Sequence, residues 1–374
     1  MCETGAMTLP AIDTADTASA AARMCDAPRP SVAGEGARLV ADWLAEIAPG
    51  DARAIAGLCT RFPTVKAVLE GVAEFSPYLF DLMRRDPARL LRVLGRDPDA
   101  HLAALLKAAA EEVSAAEGEA EAMAALRRMK AEAALLIALC DIGGVWPVMR
   151  VTAAVTDLAI HAVRLALRYA LMQEVGRGRL SPPVKDRPED DSGLIVLAMG
   201  KMGAHELNYS SDIDLIVFYD LDAPTLAPDV EAPPFFVRVT QAMARLLQSR
   251  TADGYVFRVD LRLRPDPAST PVAISIAAAL DYYEREGRTW ERAAMIKALP
   301  CAGDLAAGER LIGEIAPFVW RRHLDFAALT DVHDMKRQMQ AFKGHGEIAV
   351  EGHNIKVGRG GIREIEFFAQ TQQL

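Results

Sequence analysis

Gly200-Lys-Met-Gly-Ala-His-Glu-Leu-Asn-Tyr-Ser-Ser-Asp-Ile-Asp-Leu-Ile-Val-Phe-Tyr-Asp220 sets a glycine-bounded turn ahead of two aspartates spaced i, i+2 at the head of an apolar run. Alternate side chains of a strand share a face, so Asp212 and Asp214 point the same way with Cα atoms roughly 6.5 to 7 Å apart. Two carboxylates at that spacing suit one or two Mg²⁺ ions, hard cations that take oxygen ligands and keep phosphate oxygens in their shell. Taken alone, such a pair also suits a solvated edge strand, where aspartates act as gatekeepers against aggregation. The run Leu215–Phe218 is what a central strand looks like, and two unpaired aspartates there are costly without a cation. Gly193–Met199 reads as a buried strand ending at Gly200. Lys201 and the backbone N–H groups near Gly200, Gly203, Ser210 and Ser211 would then line a phosphate-binding rim.

A second stretch supplies a third acid. Phe257-Arg-Val-Asp-Leu-Arg-Leu-Arg264 alternates strictly, with Phe257, Val259, Leu261 and Leu263 on one face and Arg258, Asp260, Arg262 and Arg264 on the other. An amphipathic surface strand would show the same alternation. Beside the Asp212/Asp214 strand, Asp260 becomes a third metal ligand or the base that orients a nucleophile, and the arginines neutralise phosphate charge. Further on, Lys297 falls about two helical turns after Trp290, where it can reach phosphate while the tryptophan packs. Packing alone accounts for that pair equally well.

These residues resemble the active-site signature of the glutamine synthetase adenylyltransferase/adenylyl-removing family, within the DNA polymerase beta-like nucleotidyltransferase superfamily. Ser76-Pro-Tyr-Leu79 with Arg85-Asp-Pro87, the run from Arg258 to Pro265, Trp290-Glu-Arg292 through Lys297, Phe318-Val-Trp-Arg-Arg322, and Asn354-Ile-Lys-Val-Gly-Arg-Gly-Gly-Ile-Arg-Glu-Ile-Glu-Phe367 follow in the family's order, over about residues 70 to 374. Lys201 after the first glycine, where the superfamily at large has serine, is similar to this family in particular. Leu299 stands where the family usually has arginine.

The resemblance implies a small mixed sheet with helices, flanked by helical regions, and the phosphorolytic removal of AMP from an adenylylated tyrosine of glutamine synthetase. Phosphate, ADP and ATP would be its small ligands, Mg²⁺ (or Mn²⁺) its cofactor, and a PII signalling protein a partner of the full-length enzyme. It also implies two copies of the nucleotidyltransferase unit in that enzyme, of which this piece is similar to the first, adenylyl-removing copy. The forward transfer of AMP from ATP uses the same geometry, so the residues alone leave the direction open. A decayed regulatory module that senses nucleotide or PII is the other alternative, opposed by the three intact aspartates.

With 374 residues, 51% of them hydrophobic, the chain is long enough for two or three domains with sizeable cores. A net charge of −9 disfavours a general nucleic-acid binder, which needs a basic face. The first 33 residues lack a basic start followed by an apolar core, and no apolar run reaches the roughly 18 residues that span a bilayer. A cytoplasmic protein without a membrane segment is expected. Cys2, Cys25, Cys59, Cys140 and Cys301 lack metal-site spacing and read as reduced thiols. The seven histidines show neither triad nor metal spacing.

The expected class is α+β, mostly helical. Residues 1–33 read as a disordered tail and 34–175 as a helical domain, with helices at 37–47, 64–75, 76–84, 87–94, 100–116, 120–142 and 145–174. Met123, Leu126, Met129 and Trp146 are expected in its core, and Arg127, Arg128 and Lys130 on a solvated face. Residues 176–192 read as a linker. The nucleotidyltransferase core, 193–275, should hold strands at 193–199, 212–219 and 254–264 and a helix at 235–250. Its loop 222–234, with Pro224, Pro228, Pro233 and Pro234, is placed at the rim of the cleft. Residues 276–374 read as a helical region. They stop within an amphipathic helix that has no C-terminal cap, the mark of a fragment. There the glycine-rich turn Lys356–Gly361 feeds a helix N-terminus, and Arg363, Glu364 and Glu366 can brace the cleft through salt bridges.

Overall fold

The structure, a computed structural model, describes residues 17–31, 34–320, 351–356 and 358–373. The first sixteen residues of the expected tail, Arg321 and Arg322, Val357, and the histidines 323, 333 and 345 lie outside the described residues. The chain divides into two compact units, residues 1–116 with 124–158, and residues 117–123 with 159–374.

The first unit is a succession of short helices punctuated by proline. After α1 (Ala20–Arg23) and α2 (Glu35–Glu46) come α3 (Pro49–Arg61), α4 (Pro63–Phe75), α5 (Pro77–Arg85), α6 (Pro87–Leu94) and α7 (Pro98–Ala115). Each of the last five opens on proline, whose missing N–H costs nothing at a first helical position and which pushes the preceding residue out of the helical region. Ser76, Asp86 and Asp97 occupy those preceding positions and accept from the amides of Leu79, Arg89 and Ala100. The longer helices α8 (Glu119–Ile142) and α9 (Val148–Gly176) contribute residues to both units.

Three expectations change here. Pro49–Arg61, outside the predicted helices, is helical. Residues Ser19–Met24 of the expected tail pack instead: Ala20, Ala21 and Met24 are buried, the Ala20 amide donates to Arg96 O, and Arg23 pairs with Asp97. Arg127 is buried, not solvated, with 1% of its surface exposed. One buried polar network crosses this core. Burial alone would raise the Glu132 carboxyl, yet hydrogen bonds from His101 and Arg92 hold it down to about 2.

In the second unit a five-stranded mixed sheet has the order β3-β2-β1-β5, with β4 also paired to β2. β1 (Leu194–Ala198) is buried along its whole length and antiparallel to β2 (Ile213–Tyr219). β3 (Val259–Asp260) and β4 (Ile274–Ser275) run parallel to β2, and β5 (Leu299–Gly303) antiparallel to β1. α10 (Gly200–Gly203) follows β1, and α11 (Ala232–Gln248) links β2 to β3. Ile195, Leu197, Ile216 and Phe218 form a core with Tyr283 of α12 (Ile276–Arg285), Met295 of α13 (Thr289–Met295), and Leu311 and Ile315 of α14 (Leu305–Val319). On α11, Phe236 stacks on Tyr219 with ring centroids 4.7 Å apart. The last described helix is α15 (Ile362–Gln373).

The architecture is thus α+β and mostly helical, with two local corrections. A strand lies inside the expected helical region, since Leu299–Gly303 pairs with β1 across a register shift between Val196 and Leu197. The loop 222–234 does not rim the aspartates: it leaves β2 at the opposite end, where Leu226 pairs with Leu180 and Ser181 N–H donates to Thr225 O. Within residues 176–192, Leu180 and Ser192 are buried, and 183–187 between them are exposed. Among the described residues no helix is long and apolar enough to cross a membrane. Cys25, Cys59, Cys140 and Cys301 are free thiols, and burial pushes Cys140 and Cys301 up to about 12.

Candidate functional site

The start of β2 is where the acids gather. Asp214 is its second residue and sits directly opposite Asp260 in the parallel β2–β3 pairing, with Ile213 opposite Val259 and the Ile213 amide bonded to Arg258 O at 2.9 Å. Asp212 immediately precedes the strand. The period of two puts Asp214 on the face that carries Ile216 and Phe218, at the point where that hydrophobic face ends.

Burial and charge crowding both act on these carboxyls. The Asp214 carboxyl is pushed up to about 6, first by burial and then by the charges of Asp260 and Asp212, while Lys356 and Arg262 pull it partly back. Asp260 lies below the usual carboxylate range, because hydrogen bonds from the Arg262 side chain and amide outweigh the effect of burial. Asp212 is paired with Arg258, whose guanidinium also bonds Ser210 O at 2.6 Å and the Tyr255 hydroxyl at 2.8 Å.

Backbone geometry brings the turn close to these acids. Gly200 has φ +53°, and a Cβ on it would lie 3.2 Å from Asp214 Oδ2. A Cβ on Gly203 would lie 1.8 Å from Lys297 O and 2.6 Å from Ala198 O, so only glycine lets these segments meet. His205 and Ser210 also have positive φ, 57° and 56°, within the same loop. The Gly203 amide donates to Met199 O and the Ser211 amide to Asn208 O. Lys201 lies on α10, half-buried.

Two predicted phosphate contacts are placed otherwise. The strict alternation in 257–264 suggested a strand through Arg264, but β3 ends at Asp260. There the Arg262 amide folds back onto Asp260 Oδ1 at 2.9 Å. Arg264 is therefore buried in the following loop, donating to the carbonyls of Leu261, Pro267 and Thr270. Lys297 Nζ lies 3.2 Å from Glu366 Oε1 and 3.6 Å from Glu206 Oε2. Trp290-Glu-Arg292 is framework: the Glu291 carboxylate accepts from the Tyr282 hydroxyl and Arg288 N–H, and Arg292 donates to Phe318 O and Val319 O.

Lys356 is the site residue that sequence reasoning missed. It belongs to the glycine-rich turn already noted, but only folding brings its charge to Asp214.

As a donor set, three carboxylates gathered at the start of β2, one of them partly buried, suit a divalent cation. Among the described residues, however, no group of three or more acids or other ligands is disposed to hold a metal ion. Arg258 and Arg262 draw Asp212 and Asp260 aside, so these two ion pairs must open for the three carboxylates to act together.

Fold and site together define a class, an α+β protein with an acidic centre at one end of a small mixed sheet and arginines beside it. A family model described as glutamate-ammonia ligase adenylyltransferase matches residues 67–313, and one described as GlnD PII-uridylyltransferase matches residues 332–374. A curated protein of Rhodopseudomonas palustris, named bifunctional glutamine synthetase adenylyltransferase/adenylyl-removing enzyme, is 70% identical over 96% of this chain and 36% of its own length. Proteins of the same name are 68% identical in Bradyrhizobium diazoefficiens, over 95% of this chain and 36% of the relative, and 57% identical in Xanthobacter autotrophicus, over 97% and 36%. The chain belongs to the glutamate-ammonia ligase adenylyltransferase family, and it spans about 36% of the length of these curated relatives.

Proposed function

We propose that the start of β2 is a nucleotidyl-transfer centre of the DNA polymerase beta-like kind. In this reading it removes AMP from an adenylylated tyrosine of glutamine synthetase by phosphorolysis. The observation that carries the reading is the parallel pairing that sets Asp214 opposite Asp260, two residues after Asp212. Family membership and the relatives' shared name supply the substrate. The direction rests on the match to the N-terminal part of those relatives, which the adenylyl-removing half occupies by resemblance.

Asp212, Asp214 and Asp260 would hold Mg²⁺ or Mn²⁺. Bound there, the ion would neutralise charge developing on the phosphoryl oxygens. Arg258 and Arg262, released from their carboxylates, and Lys201 would hold the attacking phosphate and the nucleotide's phosphates, a task that suits guanidinium forks. The rim at Gly200, Gly203, Ser210 and Ser211 would set how closely those phosphates approach.

In balanced form, an oxygen of inorganic phosphate bonds to the α-phosphorus of the adenylyl group as the bond to the tyrosyl oxygen breaks. ADP leaves, and the proton carried by the phosphate ends on the tyrosine hydroxyl. A PII signalling protein is proposed as a partner of the longer protein, and the cytoplasm as its location.

The test is an assay of the intact protein with adenylylated glutamine synthetase, inorganic phosphate and Mg²⁺. Phosphate-dependent ADP is the expected product. Incorporation of AMP from ATP without any phosphorolysis would assign the centre to the forward transfer.

A further inference from the structure

Lys297, Glu206 and Glu366 make one cluster that the proposed chemistry leaves unused, and it joins three parts of the second unit. Lys297 follows α13, Glu206 lies in the signature loop, and Glu366 is on α15. The Lys297 main chain is pinned, since its carbonyl lies against Gly203 where no side chain fits and its amide bonds Ala294 O at 3.3 Å. The backbone from which its ammonium reaches the two carboxylates is thus held in place.

The other end of the cluster is also a rigid piece. Ile362 N–H donates to Ile355 O at 2.8 Å, Arg363 N–H to Lys356 O at 3.0 Å, and Gly360 N–H to the Glu364 carboxylate at 2.6 Å. The turn that carries Lys356 and the first turn of α15 therefore move together. A force applied at Glu366 reaches Lys356.

We propose that Lys297 is a positioning residue: by bridging Glu206 and Glu366 it latches α15, and with it the turn that carries Lys356, to the signature loop that leads into Asp212 and Asp214, so that the charge of Lys356 is set to serve incoming phosphate. The proposal rests on reading the Asp212/Asp214/Asp260 cluster as the phosphate-binding centre. With Lys297 21% exposed, Glu366 41% and Glu206 52%, the ion pairs are weak ones, suited to a latch that opens and closes.

Hydrogen–deuterium exchange and steady-state kinetics on the intact protein separate this role from direct phosphate contact. In Lys297→Met and in Glu366→Gln, amides of Ile362–Ile365 should exchange about tenfold faster, with β1 and β2 unchanged. The KM for inorganic phosphate should rise by about tenfold in both, more than kcat falls. Lys297→Arg, which keeps the bridge, should restore both readings, and Lys185→Met serves as an exposed control.

A lysine that simply held phosphate would leave Glu366→Gln silent. That result, or a raised KM in Lys297→Met without faster exchange at α15, overturns the latch. If the unaltered protein makes no phosphate-dependent ADP, the functional reading fails by itself, and the exchange comparison alone decides whether the latch exists.

Discussion

Asp214 is the residue on which the proposed chemistry turns, because its environment is unfavourable to the charge it would carry. Burial and two neighbouring carboxylates push its carboxyl up to about 6 from 3.8 in an unfolded chain. Between those values the folded protein holds a proton that the unfolded chain has released, so stability falls as pH rises through this window and the penalty is fully present above about 6. A shift of about two units corresponds to about 2 to 3 kcal/mol at pH 8. Asp214→Asn should therefore raise the melting temperature at pH 8 in EDTA while changing it little at pH 4. Added Mg²⁺ should stabilise the unaltered protein and leave the asparagine variant where it was, a comparison made by thermal unfolding. An asparagine variant that melts lower at pH 8 would mean that the carboxylate is stabilised by a partner and carries no penalty.

At the scale of elements, the parallel β2–β3 ladder and the loop after it divide the arginines between two tasks. Arg264 is buried with its donors on three carbonyls, so Arg264→Ala should cost about 1 to 3 kcal/mol by leaving those carbonyls unpaired. Arg262 is 83% exposed, so Arg262→Ala should scarcely change stability and should raise the KM for phosphate. Denaturant unfolding and initial rates on the two variants check this split. Gly203 makes a sharper demand. A methyl group there overlaps the carbonyls of Lys297 and Ala198, and Gly203→Ala should cost about 3 kcal/mol or more, read in the same unfolding experiment.

These elements also show which features were legible in the chain. The apolar run after Asp214 marked β2 as buried, and the alternation around Asp260 marked a second strand with an acid on its polar face. Alternation does not reveal where a strand stops, however. β3 ends where the Arg262 amide turns back to Asp260, a local hydrogen bond that competes with the ladder, and Arg264 consequently falls inside the protein. β5 was hidden because five residues containing Pro300 and Cys301 have too little pattern to separate a strand from the helices around it. Lys356 was beyond reach for a different reason: a charge far away in sequence is brought to Asp214 by tertiary structure alone.

For the whole molecule, the acidic total of −9 and the arginines at one end of the sheet agree with a protein that binds a few phosphates and not a nucleic-acid backbone. The family match runs from residue 67 to 313 and so includes helices of the first unit as well as the sheet. Apolar residues at helical spacing made that first unit readable as helical, while its buried Arg127 and His101–Glu132–Arg92 network were not, since burial of a charge depends on partners distant in sequence.

The central claim, that Asp212, Asp214 and Asp260 act as one centre, is tested most directly by the rate of phosphate-dependent ADP release from adenylylated glutamine synthetase. The rate should fall by about 10³-fold or more in Asp212→Asn and in Asp260→Asn, and the double variant should be no worse than either, as for residues that work as a unit. Near-normal ADP release by Asp260→Asn in a folded protein would contradict the account and place the chemistry elsewhere.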